Sequence, residues 1–337
     1  MNRTLVVVLN WNGIDDTLEC LDALEAQTHD AFDVLVIDNG SAGDDVARLR
    51  ARGGSFVLHT EPTNLGFAGG VNVGIRRALA EGYEAIALLN NDATPDPTWL
   101  ESLDAALERT GASIATGLMV RRSEDPDLDG TIDTAGDAVS TWGMPFPRFR
   151  GLAAHDAPEQ GPVFSASGGA SLFRADLFRD IGLFDERFFA YFEDIDIGFR
   201  ARLRGHAIVY DPAAVAHHRI GATSGRIPGF TVRQNFQNLP ILVTKNVPKG
   251  LRRMIVPRFI LLYGAMLAKA TLTGSARPAW SGLRRGVRLA ATHGREERRR
   301  IQGSRTAHAR DIDAMLTHDL PPEQRGMRKL RRVIRKH

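Results

Sequence analysis

A single cysteine, Cys20, is all the chain carries in 337 residues. That excludes an internal disulfide framework and fits a reducing cytoplasm. Cys20 lies in an expected helix, where it reads as a buried structural thiol. Uninterrupted apolar runs are short. The longest, Phe259 to Ala268, is about half the ~20 residues a bilayer-spanning helix needs, and Arg258 and Lys269 flank it. The opening "MNRTLVVVLNWNG" has only a five-residue apolar run before polar residues, so no signal peptide is expected. There is no internal repeat, and no GxGxxG turn followed by an acid at the dinucleotide-fold spacing. The Arg-rich end lacks the interleaved aromatics and recognisable module of a nucleic-acid binder, so no nucleic-acid partner is expected.

What is present is an ordinary globular composition, 43% hydrophobic and 25% charged, on a chain long enough for one large domain or two modest ones. The net charge of +3 hides an asymmetry. From Lys249 to the end there are 22 basic and 6 acidic residues, whereas the first 248 residues carry 21 basic and 34 acidic ones. An acidic body joined to a basic region facing polyanions is the expected organisation, with anionic lipid as the favoured partner. The last 40 residues are expected to be partly disordered.

Residues 4 to 9, "TLVVVL", read as a strand buried on both faces. "DVLVIDNGS", "SFVLHT", "AIALLNNDA" and "ASIATGLMV" read as further strands, with helices between them, and a Gly-rich turn runs into the helix of "NLGFAGGVNVGIRRALAEG". Alternating strands and helices imply an α/β fold with a mostly parallel sheet. Ligands bind at the carboxyl ends of such strands. Those ends carry Asn10, Trp11, Asn12, Asp38, Asn90, Asn91 and Asp92. Residues 121 to 162 form a long excursion, rich in Asp, Gly and Pro, of a kind that is usually functional or mobile.

Four stretches carry candidate chemistry. Asp92, at a strand end, is placed to hold a hard divalent cation, or to cap the helix that begins near Pro97. The glycines of "NLGFAGGVNVG" permit close approach of a ligand, or tight packing of a helix on the sheet. In "RFFAYFEDIDIGFRARLRG", Ile195, Phe199 and Leu203 make a helical stripe, and Asp196 is spaced to pair with Arg200. Glu193 and Asp194 follow an aromatic run, where desolvation raises a carboxylate towards the pKa of a general base. His217 and His218 follow a strand and read as a metal or phosphate contact, or as structural residues. The segment 255–272 is either an interfacial helix or a core helix.

In this order, "VVLNWNG", "VLVIDNGS", "NLGFAGGVNVGI", "LLNNDA", "GGASLFRADLFRDIGLFDERFFAYFEDIDIGFRARLRG", "HHRIGATSG" and "RQNFQNLPILVTKNVP" resemble the successive blocks of family 2 glycosyltransferases, in particular the rhamnosyltransferase-like branch. The resemblance implies a GT-A nucleotide-sugar-binding sandwich over residues 1–248 and a basic, helical extension over 249–337. It implies an inverting transfer from a nucleotide-sugar, with dTDP-rhamnose the first guess. The acceptor would be a glycan or a polyprenyl-diphosphate-linked hydroxyl, used at the inner face of the cell membrane in cell-surface polysaccharide synthesis. By resemblance Asp194 is the general base and Glu193 orients it or the acceptor. Asn10, Trp11, Asn12, Asp38, Gly70, Asn72, Asn91 and Asp92 bind the nucleotide-sugar. Asp92 and His217 hold Mg2+ or Mn2+, with His218 the alternative histidine. The metal motif departs from the usual two carboxylates: it reads Asn90, Asn91, Asp92. A nucleotidyltransferase and a non-catalytic nucleotide-sugar-binding protein are the rival readings.

Overall fold

A computed structural model describes residues 3–219 and 227–318. Its first half alternates β1 (Thr4–Asn10), α1 (Ile14–Glu25), β2 (Phe32–Asp38), α2 (Asp45–Arg52), β3 (Phe56–Thr60), α3 (Gly66–Ala80) and β4 (Ala85–Asn90). A short β5 (Ala93–Pro95), α4 (Trp99–Thr110) and β6 (Ile114–Arg121) follow. The excursion carries β7 (Ile132–Thr134), β8 (Asp137–Val139), β9 (Pro145–Pro147) and β10 (Gly161–Pro162). Next come β11 (Ala170–Arg174), α5 (Ala175–Ile181), α6 (Glu193–Leu203) and β12 (Ile208–His218). The chain continues as α7 (Phe230–Asn246), α8 (Lys249–Leu272), α9 (Ala276–Ala291), α10 (His293–Ser304) and α11 (Ala309–Met315).

The sheet runs β10-β12-β6-β11-β4-β1-β2-β3. The pairs β1/β2, β1/β4, β2/β3 and β6/β12 are parallel, and β11 is antiparallel to both neighbours. The carboxyl ends of β1, β2, β4, β6 and β12 therefore share one edge. Alternation explains the apolar runs. Leu5 and Val7 enter a core with α3, α5 and α6, while Val6 and Val8 enter one with α1, α2 and α4.

A third core lies among the later helices. Ile195, Phe199 and Leu203 join Phe236, Leu239, Ile255, Phe259, Tyr263, Ile301 and Ile312 there. The stripe on α6 is thus buried, and α6 links the sheet to the helical cluster. The cluster begins at α7, because α9 lies directly along it. A methyl group on Gly286 would stand 2.5 Å from the Gln237 carbonyl oxygen, so only glycine permits this approach. Residues 298–315, expected to be partly disordered, are helical for most of their length. Ile301 and Ile312 anchor them in the core, and Arg298 donates to the Thr244 and Val247 carbonyls. The rest of that expectation, from residue 319 on, lies outside the described residues. By length and composition α8 is able to cross a membrane, yet its Leu251, Ile255, Phe259, Leu262 and Tyr263 pack in the third core.

Candidate active site

The shared sheet edge carries a polar network. Asn10 ends β1 beside Asp38 at the end of β2. Its Nδ2 donates to Asp38 at 2.8 Å, Asp45 at 3.0 Å and Ser41 at 3.2 Å, and its Oδ1 accepts from Thr17. Asn12 has a left-handed backbone, φ 51°, held by a bond from its amide N–H to Ser41 Oγ. Asn91 Nδ2 donates to the Gly13 carbonyl and to Thr17. Asn10, Asp38 and Asn91 are buried and fix the turn, whereas Trp11 and Asn12 are half-buried on it. Gly70 and Asn72, by contrast, are turned inward. A methyl group on Gly70 would meet Leu9 at 2.4 Å, so this glycine serves helix-to-sheet packing. Asn72 exchanges two hydrogen bonds with the Phe184 backbone and is 1% exposed. Its place between Ala68 and Ile75 on the buried stripe of α3 explains this.

Beyond β4, the strand β5 pairs with the end of β12, bringing Ala93 opposite His218 and Thr94 opposite His217. It is His218, rather than His217, that meets Asp92: Nε2 stands 3.2 Å from Asp92 Oδ1. His217 faces Asp96 at 3.3 Å and is half-buried. His218 Nδ1 is bonded to Asp133 Oδ2 at 2.8 Å. Arg150 holds Asp133 in turn, at 2.7 Å. Burial opposes a charge on His218, but the hydrogen bonds to Asp133 and Asp92 outweigh it and lift the imidazole to about 10. Burial likewise opposes the Asp133 charge, and His218 and Arg150 hold it below the usual carboxylate range.

These residues fit a divalent cation. Two ligands at right angles on an ion with bonds of about 2.1 Å stand about 3 Å apart, close to the Asp92–His218 separation. Nδ1 is held by Asp133, and Nε2 would ligate once a cation displaced the proton it shares with Asp92, an arrangement common around metal-bound imidazoles. Among the described residues no three His, Cys, Asp or Glu side chains are placed to hold one metal ion together. The protein side of such a site is therefore two ligands.

The acid motif sits at the start of α6, near the same edge. Phe189, Tyr191 and Phe192 have φ of 62°, 72° and 69°, a run of left-handed non-glycine residues that costs energy at each step. One side chain clamps it. Asn238 Nδ2 on α7 donates to the carbonyls of Phe188 at 2.9 Å, Ala190 at 2.8 Å and Tyr191 at 2.8 Å. Gln234 also donates to Phe188. Asp194 accepts from the Gly168 and Ile195 amides at 3.2 and 2.8 Å, and Ser165 Oγ donates to its carbonyl. Burial outweighs these bonds and raises the Asp194 carboxyl above its ordinary value. Burial, then the neighbouring Asp194, raises Glu193 well above its own, and Glu193 Oε2 has no partner. Burial and Asp194 also push Asp137 up to about 8. Asp137 and Ser165 exchange backbone hydrogen bonds, which brings the excursion to the acid cluster. Asp196 is fully buried and paired with Arg200 at 2.9 Å, as its spacing predicts, and with Lys245 at 3.0 Å.

Asp92 and Asp194 are thus joined through a short set of contacts at one edge. Asn90 N–H donates to the Gly169 carbonyl, and the neighbouring Gly168 N–H to Asp194. On the other side Asp133, the middle residue of β7, holds His218, and Asp137 lies by Asp194. Sequence reasoning missed Asp133, Asp137 and Asn238. Cys20 is buried, with Sγ 3.7 Å from the Asn90 carbonyl, and burial pushes its thiol up.

Residues 5–182 match the model of a family described as Glycosyl transferase family 2. An N-acetylglucosaminyl-diphospho-decaprenol L-rhamnosyltransferase of Mycobacterium tuberculosis is 30% identical over 227 residues, covering 62% of this chain and 73% of that protein. The mannosyltransferase PcManGT from Pyrobaculum calidifontis, in complex with GDP-Man and Mn2+, aligns with a TM-score of 0.53 at 18% identity, over 90% of this chain and 84% of its own. GalNAc-T7 with UDP, GalNAc and Mn2+ aligns with a TM-score of 0.55 at 15% identity, over 73% of this chain and 48% of its own, so the chain spans about half the length of GalNAc-T7. At these identities the two structures carry the fold, GT-A, and nothing finer.

Proposed function

Because the chain belongs to glycosyl transferase family 2, and is a glycosyltransferase, we propose that it moves rhamnose from dTDP-rhamnose to a hydroxyl of a polyprenyl-diphosphate-linked glycan, inverting the anomeric carbon. The catalytic unit is residues 1–248. The basic helices from 249 hold it at the inner face of the cell membrane.

A single observation carries the reading. A carboxylate of raised pKa, Asp194, shares a sheet edge with the Asp92–His218 pair. An inverting displacement needs a base on the acceptor side and positive charge on the leaving-group side. Asp194 takes the acceptor proton, and its raised pKa makes it a stronger base than an exposed aspartate. Glu193, which retains its proton to higher pH, donates a hydrogen bond to the acceptor or to Asp194. The Asn10–Asn12 turn, pinned by Asp38, Asp45 and Asn91, presents Trp11 and Asn12 to the nucleotide. Asp92 and His218 would hold Mg2+ or Mn2+, which supplies positive charge opposite the leaving diphosphate. The rhamnose assignment rests on the M. tuberculosis relative, whose name also supplies the lipid-linked acceptor class.

The test is a thermal-shift screen of nucleotide-sugars with and without Mn2+, followed by product analysis with a polyprenyl-diphosphate N-acetylglucosamine acceptor. The expected result is stabilisation by dTDP-rhamnose and release of dTDP with acceptor present. Release of pyrophosphate from a nucleoside triphosphate would instead make the protein a nucleotidyltransferase.

A further inference from the structure

We infer that the outward faces of α8 and α9 form one docking surface on which the protein lies flat against an anionic bilayer. The inference deepens the membrane location proposed above by naming the surface.

The helix α8 has two apolar sides. The inner one, with Ile255, Phe259 and Tyr263, is committed to the third core. The outer one carries Ile260, Leu261 and Leu272 at 64%, 67% and 86% exposure, and Ala265 and Ala268 between them are also exposed. These positions recur at helical spacing and run the length of a helix about 36 Å long. A soluble surface rarely leaves such a stripe uncovered. The next helix extends it. Trp280 of α9, 45% exposed, donates from Nε1 to Thr271 Oγ1 at 3.2 Å, so its ring abuts the end of α8 beside Leu272, and Val287 is exposed further along. Because the inner side is packed against protein, α8 cannot enter lipid on all sides, and lying in the interface is the arrangement that covers the outer side alone.

Charge selects the occupant. Residues 249–291 contain nine basic residues and no acidic one. Arg253, Lys269, Arg277, Arg284, Arg285 and Arg288 are exposed around the apolar stripe. An apolar face on two helices that carry cations and no acid suits a membrane whose headgroups are anions. It does not suit a second copy of the same face, which would oppose like charges. The inner side of α8 is tied to the acid motif through the excursion. The hairpin of β8 and β9 has Asp137 at its base, beside Asp194, and rests its tip on α8: Arg258 donates to Thr141 at 3.1 Å, and Gly143 lies against Ile255 and Phe259.

The test is flotation of the full chain with phosphatidylcholine vesicles, with and without phosphatidylglycerol, and no substrate present. The expected result is binding to the anionic vesicles only. The I260E/L261E variant and, separately, R284E/R285E should each lower the bound fraction about tenfold. All four positions are on the exposed side, so melting temperature and nucleotide-sugar binding should match wild type. Wild-type protein that ignores phosphatidylglycerol would overturn the inference, as would I260E/L261E protein that floats normally. A wild-type dimer in light scattering, converted to monomer by I260E/L261E, would overturn it too, because a second copy would then cover the face. Transfer to a soluble acceptor is measured in parallel. It tests the proposed reaction separately, so failure of docking and failure of transfer are distinguishable.

Discussion

Replacing Asn238 with Leu removes the clamp on the loop before Asp194 while nearly preserving volume. The Asn238 amide serves three carbonyls, and Gln234 still serves Phe188 in the variant. The carbonyls of Ala190 and Tyr191 are then orphaned. A lost partner at a buried polar group costs about 1–3 kcal/mol, and both sites are only partly buried, so about 2–3 kcal/mol in total is expected. For a protein of this size that lowers the melting temperature by roughly 3–4 °C. The clamped loop stores strain of similar size, since three left-handed non-glycine residues cost on the order of 3–6 kcal/mol together. Without the clamp the loop relaxes and shifts Asp194. A displacement of about 1 Å at a reacting group costs on the order of a hundredfold in rate. The Asn10–Asp38 network lies on other elements, so donor affinity should hold. The assay is steady-state release of nucleoside diphosphate, with donor binding by calorimetry and a thermal melt. A variant with the lowered melting temperature but near-wild-type kcat would refute the reasoning, because the clamp would then be a stabilising contact and nothing more.

Three further outcomes follow from the geometry. Asp137→Asn should stabilise the protein increasingly as pH rises from about 4 to about 8. The folded state holds a proton on Asp137 in that window and the unfolded state does not, so wild type loses stability there and the variant does not; urea titrations across pH should show a gap on the order of 1–3 kcal/mol above pH 8, screening having reduced the full linkage value. His218→Gln should weaken Mn2+ binding in the presence of nucleoside diphosphate at least about tenfold by electron paramagnetic resonance, with His217→Gln unchanged; equal effects would contradict the ligand assignment. Gly286→Ala should destabilise by about 1–3 kcal/mol, because its methyl meets the α7 backbone, whereas Gly264→Ala, with open space around it, should stabilise by about 0.5–1 kcal/mol in the same melt.

Much of the scaffold was legible because strand ends in an α/β sheet are marked by apolar runs stopping at polar residues. Asn10, Asp38, Asn91 and Asp92 all stood at such stops and do share one edge. The Asp196–Arg200 pair was legible from helical spacing alone. The choice between His217 and His218 was not, because β12 carries a bulge between Asp211 and Val215 that changes which face each later residue takes. Asp133 and Asp137 escaped notice because the excursion has no periodicity, and only tertiary pairing with β6 and Ser165 brings it to the site. Asn238 lies 44 positions beyond Asp194, and nothing local ties the two. Asn72 could have been excluded, since helical spacing from Ala68 and to Ile75 already put it on the buried side.

The proposed reaction depends on Asp194 removing the acceptor proton opposite the Asp92–His218 pair. Turnover and donor affinity of Asp194→Asn, measured together, test it most directly. A fall in kcat of at least about a hundredfold with donor affinity unchanged is predicted. Turnover near wild type, or a loss explained entirely by weaker donor binding, would contradict it.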